Sequence, residues 1–214
     1  MAGALRKTLQ AFGIWAVVLL ILGAIWPPAL HLPQLWMVVG VSILANVLQP
    51  AYRPFEGPRT PEDRGTAAQI LWTVYITQTA ALVELVLRRR VALPLDLTTW
   101  VGFSAMIGGL ALRTWAVAVL GQWFTWNVTV QAGQELITRG PYRLIRHPSY
   151  TGALVTFVAS CALLRSWVVA TLAAMALTVA FLRRIRCEEA LLVRTLPGYD
   201  AYVARTGRLL PRVG

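Results

Sequence analysis

Charge is scarce in this sequence: 14% of its 214 residues are Asp, Glu, Lys or Arg, and only nine of those are acidic. Together with 57% hydrophobic residues and nine Trp, that scarcity argues against a single soluble domain of 23.6 kDa, which could not hide so much apolar surface. Cysteine is nearly absent. Cys161 and Cys187 permit at most one pairing, which excludes a disulfide framework, and no spacing of Cys and His indicates a metal site. The chain has no internal repeat and no low-complexity segment. The first apolar run lacks a small-x-small cleavage site and ends in "WPPALHLP", so it reads as a retained helix and not as a secretory signal.

What is present is a series of long apolar runs. Windows 10–26, 35–49, 67–87, 100–120 and 150–182, the last with one interruption, carry almost no charge and read as membrane spans. The expected fold is therefore an all-α polytopic membrane protein of about six transmembrane helices, near 10–26, 34–49, 67–87, 98–120, 149–164 and 167–183. Five is the alternative, with the last two short stretches forming a tilted helix-turn-helix. The formal charge of +11 follows the positive-inside pattern and does not signal nucleic acid. With the N-terminus inside, Arg6, Lys7, Arg53, Arg59, Arg64, Arg139, Arg143, Arg146 and the seven arginines after Leu182 fall on the cytoplasmic side. Arg88, Arg89 and Arg90 are discordant and must lie or snorkel at the outer face.

Proline punctuates the chain. Trp26-Pro27-Pro28 to Pro33 makes a tight turn between the first two spans, and residues 49–66 form a polar, Pro-rich loop. Between 121 and 148, alternating β-branched, aromatic and polar residues around Ala132-Gly133 predict a short hairpin on the membrane face. Residues 184–214 begin with arginines and continue as an amphipathic helix, with Leu191, Leu192 and Leu196 on its apolar face, until Pro197-Gly198 breaks it. The organisation expected is N-terminal transmembrane helices in 1–120 and a functional core in 121–214, made of a loop at 121–148, a helical hairpin at 149–183 and the tail.

Two clusters can carry chemistry. In "RHPSY", Pro148 suits the first turn of a helix and biases His147 away from helix, so the amides of Ser149, Tyr150 and Thr151 would be free for an anion. The plainer alternative is a basic loop capped by Ser149. Arg184, Glu188 and Glu189 form the second cluster. An Arg184–Glu188 pair four residues apart on a solvated face would contribute only about 0.3–0.5 kcal/mol, so position and not pairing argues for function. Within the spans, Glu84 and Arg113 are costly charges that either pair with each other or reach the interface.

The run "LGQWFTWNVTVQAGQELITRGPYRLIRHPSYTG", followed by "RIRCEEALL" and "YDAYVARTGRLLP", resembles the isoprenylcysteine carboxyl methyltransferase family, and more distantly the phospholipid N-methyltransferases. The resemblance runs from Arg113 to Pro211. It implies an integral membrane enzyme that uses S-adenosylmethionine and yields S-adenosylhomocysteine. By motif position it implies cofactor contacts at Gln134, Glu135, Leu136 and Ile137, then at Tyr142, His147, Pro148, Ser149 and Tyr150. Glu188 corresponds to a cofactor-binding acid, Gln131 to a further contact, and Arg184 to a residue on the acceptor side. Gln134 stands where the family often has His, and "LPGYDAY" replaces a longer acidic segment; both departures point toward a different acceptor.

The chemistry so implied is methyl transfer to a lipophilic acceptor that enters from the bilayer, with the active site on the cytoplasmic face and no nucleic-acid partner. A carboxylate acceptor needs no general base and would be positioned by Arg184. A phospholipid amine or a thiol must lose a proton, for which His147 or a glutamate would serve. Outside this class stand an NADPH-dependent membrane reductase and a non-enzymatic membrane protein. A transporter would place its polar residues near the bilayer midplane, whereas these lie at one end of the spans.

Overall fold

The structure, a computed structural model, describes residues 2–50, 61–88 and 93–212, with the side chains of residues 2–8 left aside. Arg53, Arg59, Arg89, Arg90 and most of the Pro-rich loop lie outside the described residues. Seven α-helices make up the described fold: α1 Ala2–Ile25, α2 Pro33–Leu48, α3 Thr66–Arg88, α4 Leu97–Leu120, α5 Pro148–Leu163, α6 Trp167–Thr195 and α7 Tyr199–Arg205. Three of them, α3, α4 with its short extension to Trp123, and α6, are long and apolar enough to cross a membrane. The apolar parts of α1, α2 and α5 are shorter, at 16 or 17 residues. Outward-facing Leu20, Leu87, Leu97 and Val179 are more than 60% exposed, a surface that suits lipid and not water.

Helix ends fall where proline chemistry requires. Pro27 and Pro28 stop α1 and start a single 3-10 turn, and Pro33 opens α2 at its first turn, where the missing N–H costs nothing. The indole of Trp36 donates to the Leu30 carbonyl at 2.8 Å and locks that turn. At this same end, the buried Gln34 amide donates to the carbonyls of Leu93 and Pro94, each at 3.2 Å. Asp96 caps α4 by accepting from the Thr99 amide at 3.0 Å, and it also pairs with Arg165 in the α5–α6 turn. Of the two alternatives for Glu84 and Arg113, the pair with each other does not form. Glu84 instead pairs with Arg88 at 2.8 Å and accepts from the Val169 amide at 3.0 Å, satisfying an orphan donor in the first turn of α6.

Glycine brings α4 and α5 into backbone contact. A Cβ on Gly152 would lie 2.5 Å from the Gly109 carbonyl oxygen and 2.7 Å from the Arg113 amide nitrogen. The apolar core of Leu35, Leu85, Met106, Leu163, Leu177 and Phe181 lies between the helices. The hairpin expected in 121–148 is absent. No strand occurs among the described residues, and the segment is an irregular loop followed by a 3-10 turn at Gly140–Arg143. Local bonds supply the reason: Thr125 Oγ1 donates to the Asn127 carbonyl at 2.8 Å, and the Gln131 amide donates to Gln134 Oε1 at 3.0 Å, where a ladder would need those groups.

Candidate functional site

Helix α6 runs unbroken from its apolar half through Arg184, Glu188 and Glu189, so the second arm of the expected hairpin and the tail helix are one element of 29 residues. Arg184 is 4% exposed and does not sit on a solvated face. Its Nη1 binds the Asp63 carboxylate and Thr66 Oγ1, the latter at 3.2 Å. Its Nη2 donates to the Trp126 carbonyl at 2.6 Å, and its Nε to the Tyr150 hydroxyl at 3.3 Å. Four of its five N–H groups are thereby directed to protein acceptors. Arg184 joins the start of α3, the 124–139 loop and α5 in place of the local pair with Glu188.

Glu188, half-buried, accepts from the Tyr150 hydroxyl at 2.8 Å. The Tyr150 ring is stacked between His147 and Phe181, with centroids 5.7 and 5.3 Å away. One residue on, Glu189 turns to the other side and collects two guanidinium groups and an imidazole. Arg146 Nε lies at 2.8 Å, Arg208 Nε at 3.0 Å and His147 Nε2 at 3.2 Å. Arg146 also donates to the Thr206 carbonyl. The amides of Arg146 and His147 donate to the Gly207 and Arg208 carbonyls at 2.8 and 3.0 Å, and Thr151 Oγ1 donates to Leu209 O at 2.8 Å. Glu189 is therefore the fastening between the "RHPSY" segment and the C-terminal tail.

The amides of Tyr150 and Thr151 are not free for an anion, because both donate to the His147 carbonyl at 3.1 Å as the first turn of α5 closes on itself. Nor does Ser149 cap the helix by its side chain.

A cavity of about 1130 Å³ runs from this cluster into the helices. One arm is apolar, with Trp15, Val18, Val41 and Val74 from α1, α2 and α3 in its wall. The other lobe is polar and bounded by α4, the 124–139 loop, α5, α6 and α7. Of the residues nominated from the sequence, Gln134, Glu135, Leu136 and Ile137 line it, as do Tyr142, His147, Ser149, Tyr150, Arg184 and Glu188. Gln131 and Pro148 do not: Gln131 Nε2 donates to the Gln122 carbonyl at 2.8 Å, and Pro148 is buried at the start of α5. Burial, reinforced by the negative charge of Glu188, holds the Tyr142 phenol well above its ordinary ionisation range. Tyr202, whose hydroxyl donates to the Tyr142 carbonyl at 2.6 Å, is pushed up by burial to about 12. Both are neutral hydroxyls at any physiological pH.

Sequence reasoning missed Asp63, Trp126 and the two tyrosines of α7. Only Asp63 left a signal, an Asp three residues before Thr66 at a helix start, where it accepts from Thr66 Oγ1 at 2.8 Å.

The model of the isoprenylcysteine carboxyl methyltransferase (ICMT) family matches residues 100–194, the stretch that carries α4, the loop, α5 and most of α6. Among curated proteins, the chain is 32% identical over 116 residues to the nickel-cobalt-cadmium resistance protein NccN of Alcaligenes xylosoxydans xylosoxydans, covering 54% of each chain. It is 35% identical over 119 residues to the protein-S-isoprenylcysteine O-methyltransferase of Schizosaccharomyces pombe, covering 54% of this chain and 50% of that one. A probable protein-S-isoprenylcysteine O-methyltransferase of Oryza sativa subsp. japonica is 32% identical over 117 residues, with 53% and 61% covered. The matched segment thus spans about half the length of these relatives.

Proposed function

From the premise that the chain belongs, through residues 100–194, to the isoprenylcysteine carboxyl methyltransferase family, we propose that it is a multi-pass membrane methyltransferase that uses S-adenosylmethionine and esterifies the carboxylate of a lipophilic acceptor such as an S-prenylated cysteine. The observation that carries this reading is one cavity that has both an apolar wall from α1, α2 and α3 and a polar lobe around Glu188. Its volume exceeds the roughly 300–1000 Å³ of an ordinary small-molecule pocket, which suits two ligands meeting inside one space.

The polar lobe fits the cofactor. Glu188 offers a carboxylate to a ribose diol or a cationic group, with its orientation held by Tyr150. Neutral Tyr142 and the 134–137 loop supply donors and wall around it. When bound, the cofactor supplies a methyl group on a sulfonium, so that one O–C bond forms as one S–C bond breaks, with no general base required of the protein. The chain's part is alignment and exclusion of water. Arg184 contributes by fixing Tyr150 and the Trp126 carbonyl, so it acts on the acceptor side as a positioning residue. Tyr199 and Tyr202 of α7 close the lobe from the other side, and the lobe faces the cytoplasm in the orientation set by the arginines.

The test is calorimetric titration of the detergent-purified protein with S-adenosylhomocysteine and with NADPH, followed by Glu188→Ala. The reading expects binding of the first only, its loss by at least about a hundred-fold in the variant, and an unchanged melting curve. Binding of NADPH alone, or full affinity in the variant, would overturn it.

A further inference from the structure

The segment that follows α7 is tied by its backbone to the start of α5. Ile145 and Gly207 form a parallel bridge, the amides of Arg146 and His147 donate to the Gly207 and Arg208 carbonyls, and Thr151 Oγ1 donates to the Leu209 carbonyl. Residues 207–210 turn back so tightly that a Cβ on Gly207 would lie 1.8 Å from the Leu210 carbonyl oxygen. This strap and residues 143–144 are thereby held at one edge of the fold. There Leu144 is 59% exposed and Leu210 74% exposed, and Arg143, Arg205, Arg208 and Arg212 are exposed with them. Among the described residues only Arg208 of these four has a carboxylate partner, the buried Glu189. Neither 139–151 nor 201–212 contains an Asp or Glu.

Helix lengths give the depth of this edge. Counted from the α5–α6 turn at Arg165, Thr151 lies about 21 Å along α5 and Arg183 about 27 Å along α6, at 1.5 Å per residue. Arg183 and Arg186 are exposed and end the apolar run of α6. A hydrocarbon core is about 30 Å thick, so both positions stand where the chain leaves it. The strap therefore crosses α5 at the level of the lipid headgroups. One exposed leucine is ordinary. Two at headgroup depth, set among four guanidinium groups and no acid, match a surface that dips apolar side chains into the acyl boundary and sets cations against phosphates. Guanidinium forks suit that task, since each can donate two parallel bonds to phosphate oxygens.

We infer that Leu144, Leu210 and the four arginines around them form an interfacial patch for anionic phospholipid, which holds the strap against α5. A charge bias that only set orientation would need neither the leucines nor the strap. The patch is complete only when residues 205–212 lie on the start of α5, so lipid bound to it stabilises the docked strap by mass action. The inference stands apart from whichever reaction the cavity performs.

The Arg146 and His147 amides, whose acceptors are strap carbonyls, report docking directly by hydrogen exchange. The full chain is compared in nanodiscs of phosphatidylcholine alone and in discs where part of it is replaced by phosphatidylglycerol. Exchange of these two amides should slow about ten-fold or more in the anionic discs. The difference should shrink below about two-fold in about 1 M salt, where charges are screened beyond about 3 Å. Arg143→Gln/Arg205→Gln/Arg212→Gln, which spares the Arg208–Glu189 pair, should lose the difference, and Leu144→Gln/Leu210→Gln should keep only part of it. Amides within α4 are the folding control and should exchange alike throughout. Equal exchange in the two discs overturns the inference, as does a full lipid effect in either variant or at high salt. Inorganic phosphate that slowed exchange equally in the zwitterionic discs would overturn it as well, by revealing a free-anion site in place of a lipid surface. Should the arginine variant fail to fold, the salt series on wild type decides by the same criteria.

Discussion

The two ends of the helix bundle use their charges in opposite ways. At the end where α3 finishes and α6 begins, Glu84 is spent on Arg88 and the Val169 amide, and Asp96 on Arg165 and the Thr99 amide. Every one of these groups ties a helix end or a turn. At the other end, Glu189 and Asp63 do the same work for the tail and for Arg184, yet Glu188 and Arg113 beside them hold only neutral partners. The difference separates charges spent on ion pairs that hold the fold from charges that hold only neutral partners, even where they are adjacent in sequence, as Glu188 and Glu189 are.

The strongest way to break that separation is Glu189→Ala. It leaves Arg146 buried without its carboxylate and should destabilise the protein by about 3–5 kcal/mol. Chemical unfolding in detergent measures the cost, and trypsin should cut the released tail at Arg205 and Arg208 long before the helices. A stable, protease-resistant variant would show that the tail is held otherwise. Gly152→Ala tests the scaffold between the two kinds of charge. Its methyl would press on the Gly109 carbonyl and the Arg113 backbone, a strain of about 1–3 kcal/mol. Here S-adenosylhomocysteine affinity should fall along with stability, because Arg113 and Ser149 sit on the two helices being forced apart.

Sequence alone carried the helical frame well for a physical reason. Proline cannot continue a helix and hydrocarbon tolerates few charges, so Pro27, Pro33 and Pro148 and the uncharged runs mark boundaries locally. The expected spans at 34–49, 67–87 and 98–120 accordingly fall on α2, α3 and α4 within a residue or two. What it did not carry were pairings set by packing. Nothing near Arg184 announces Asp63 more than a hundred residues earlier, and nothing tells Glu188 from Glu189 except the rotation of one helix. The loop at 121–148 was misread because its hydrogen bonds are taken up locally instead of by a second strand, and two consecutive runs, 123–129 and 134–137, line the cavity in place of one alternating face.

The smallest effect sharpens the comparison from the far end. Asp96→Ala removes the cap of α4 and the partner of Arg165. Because the Asp96 side chain is half-exposed, the loss should be about 1 kcal/mol, the usual value of an N-cap, with little added by the ion pair. Affinity for S-adenosylhomocysteine should not move at all, since nothing at that end lines the polar lobe. If the affinity fell with the stability, the two ends would be coupled through α4, and the charges of the far end would have to be counted with those around the polar lobe.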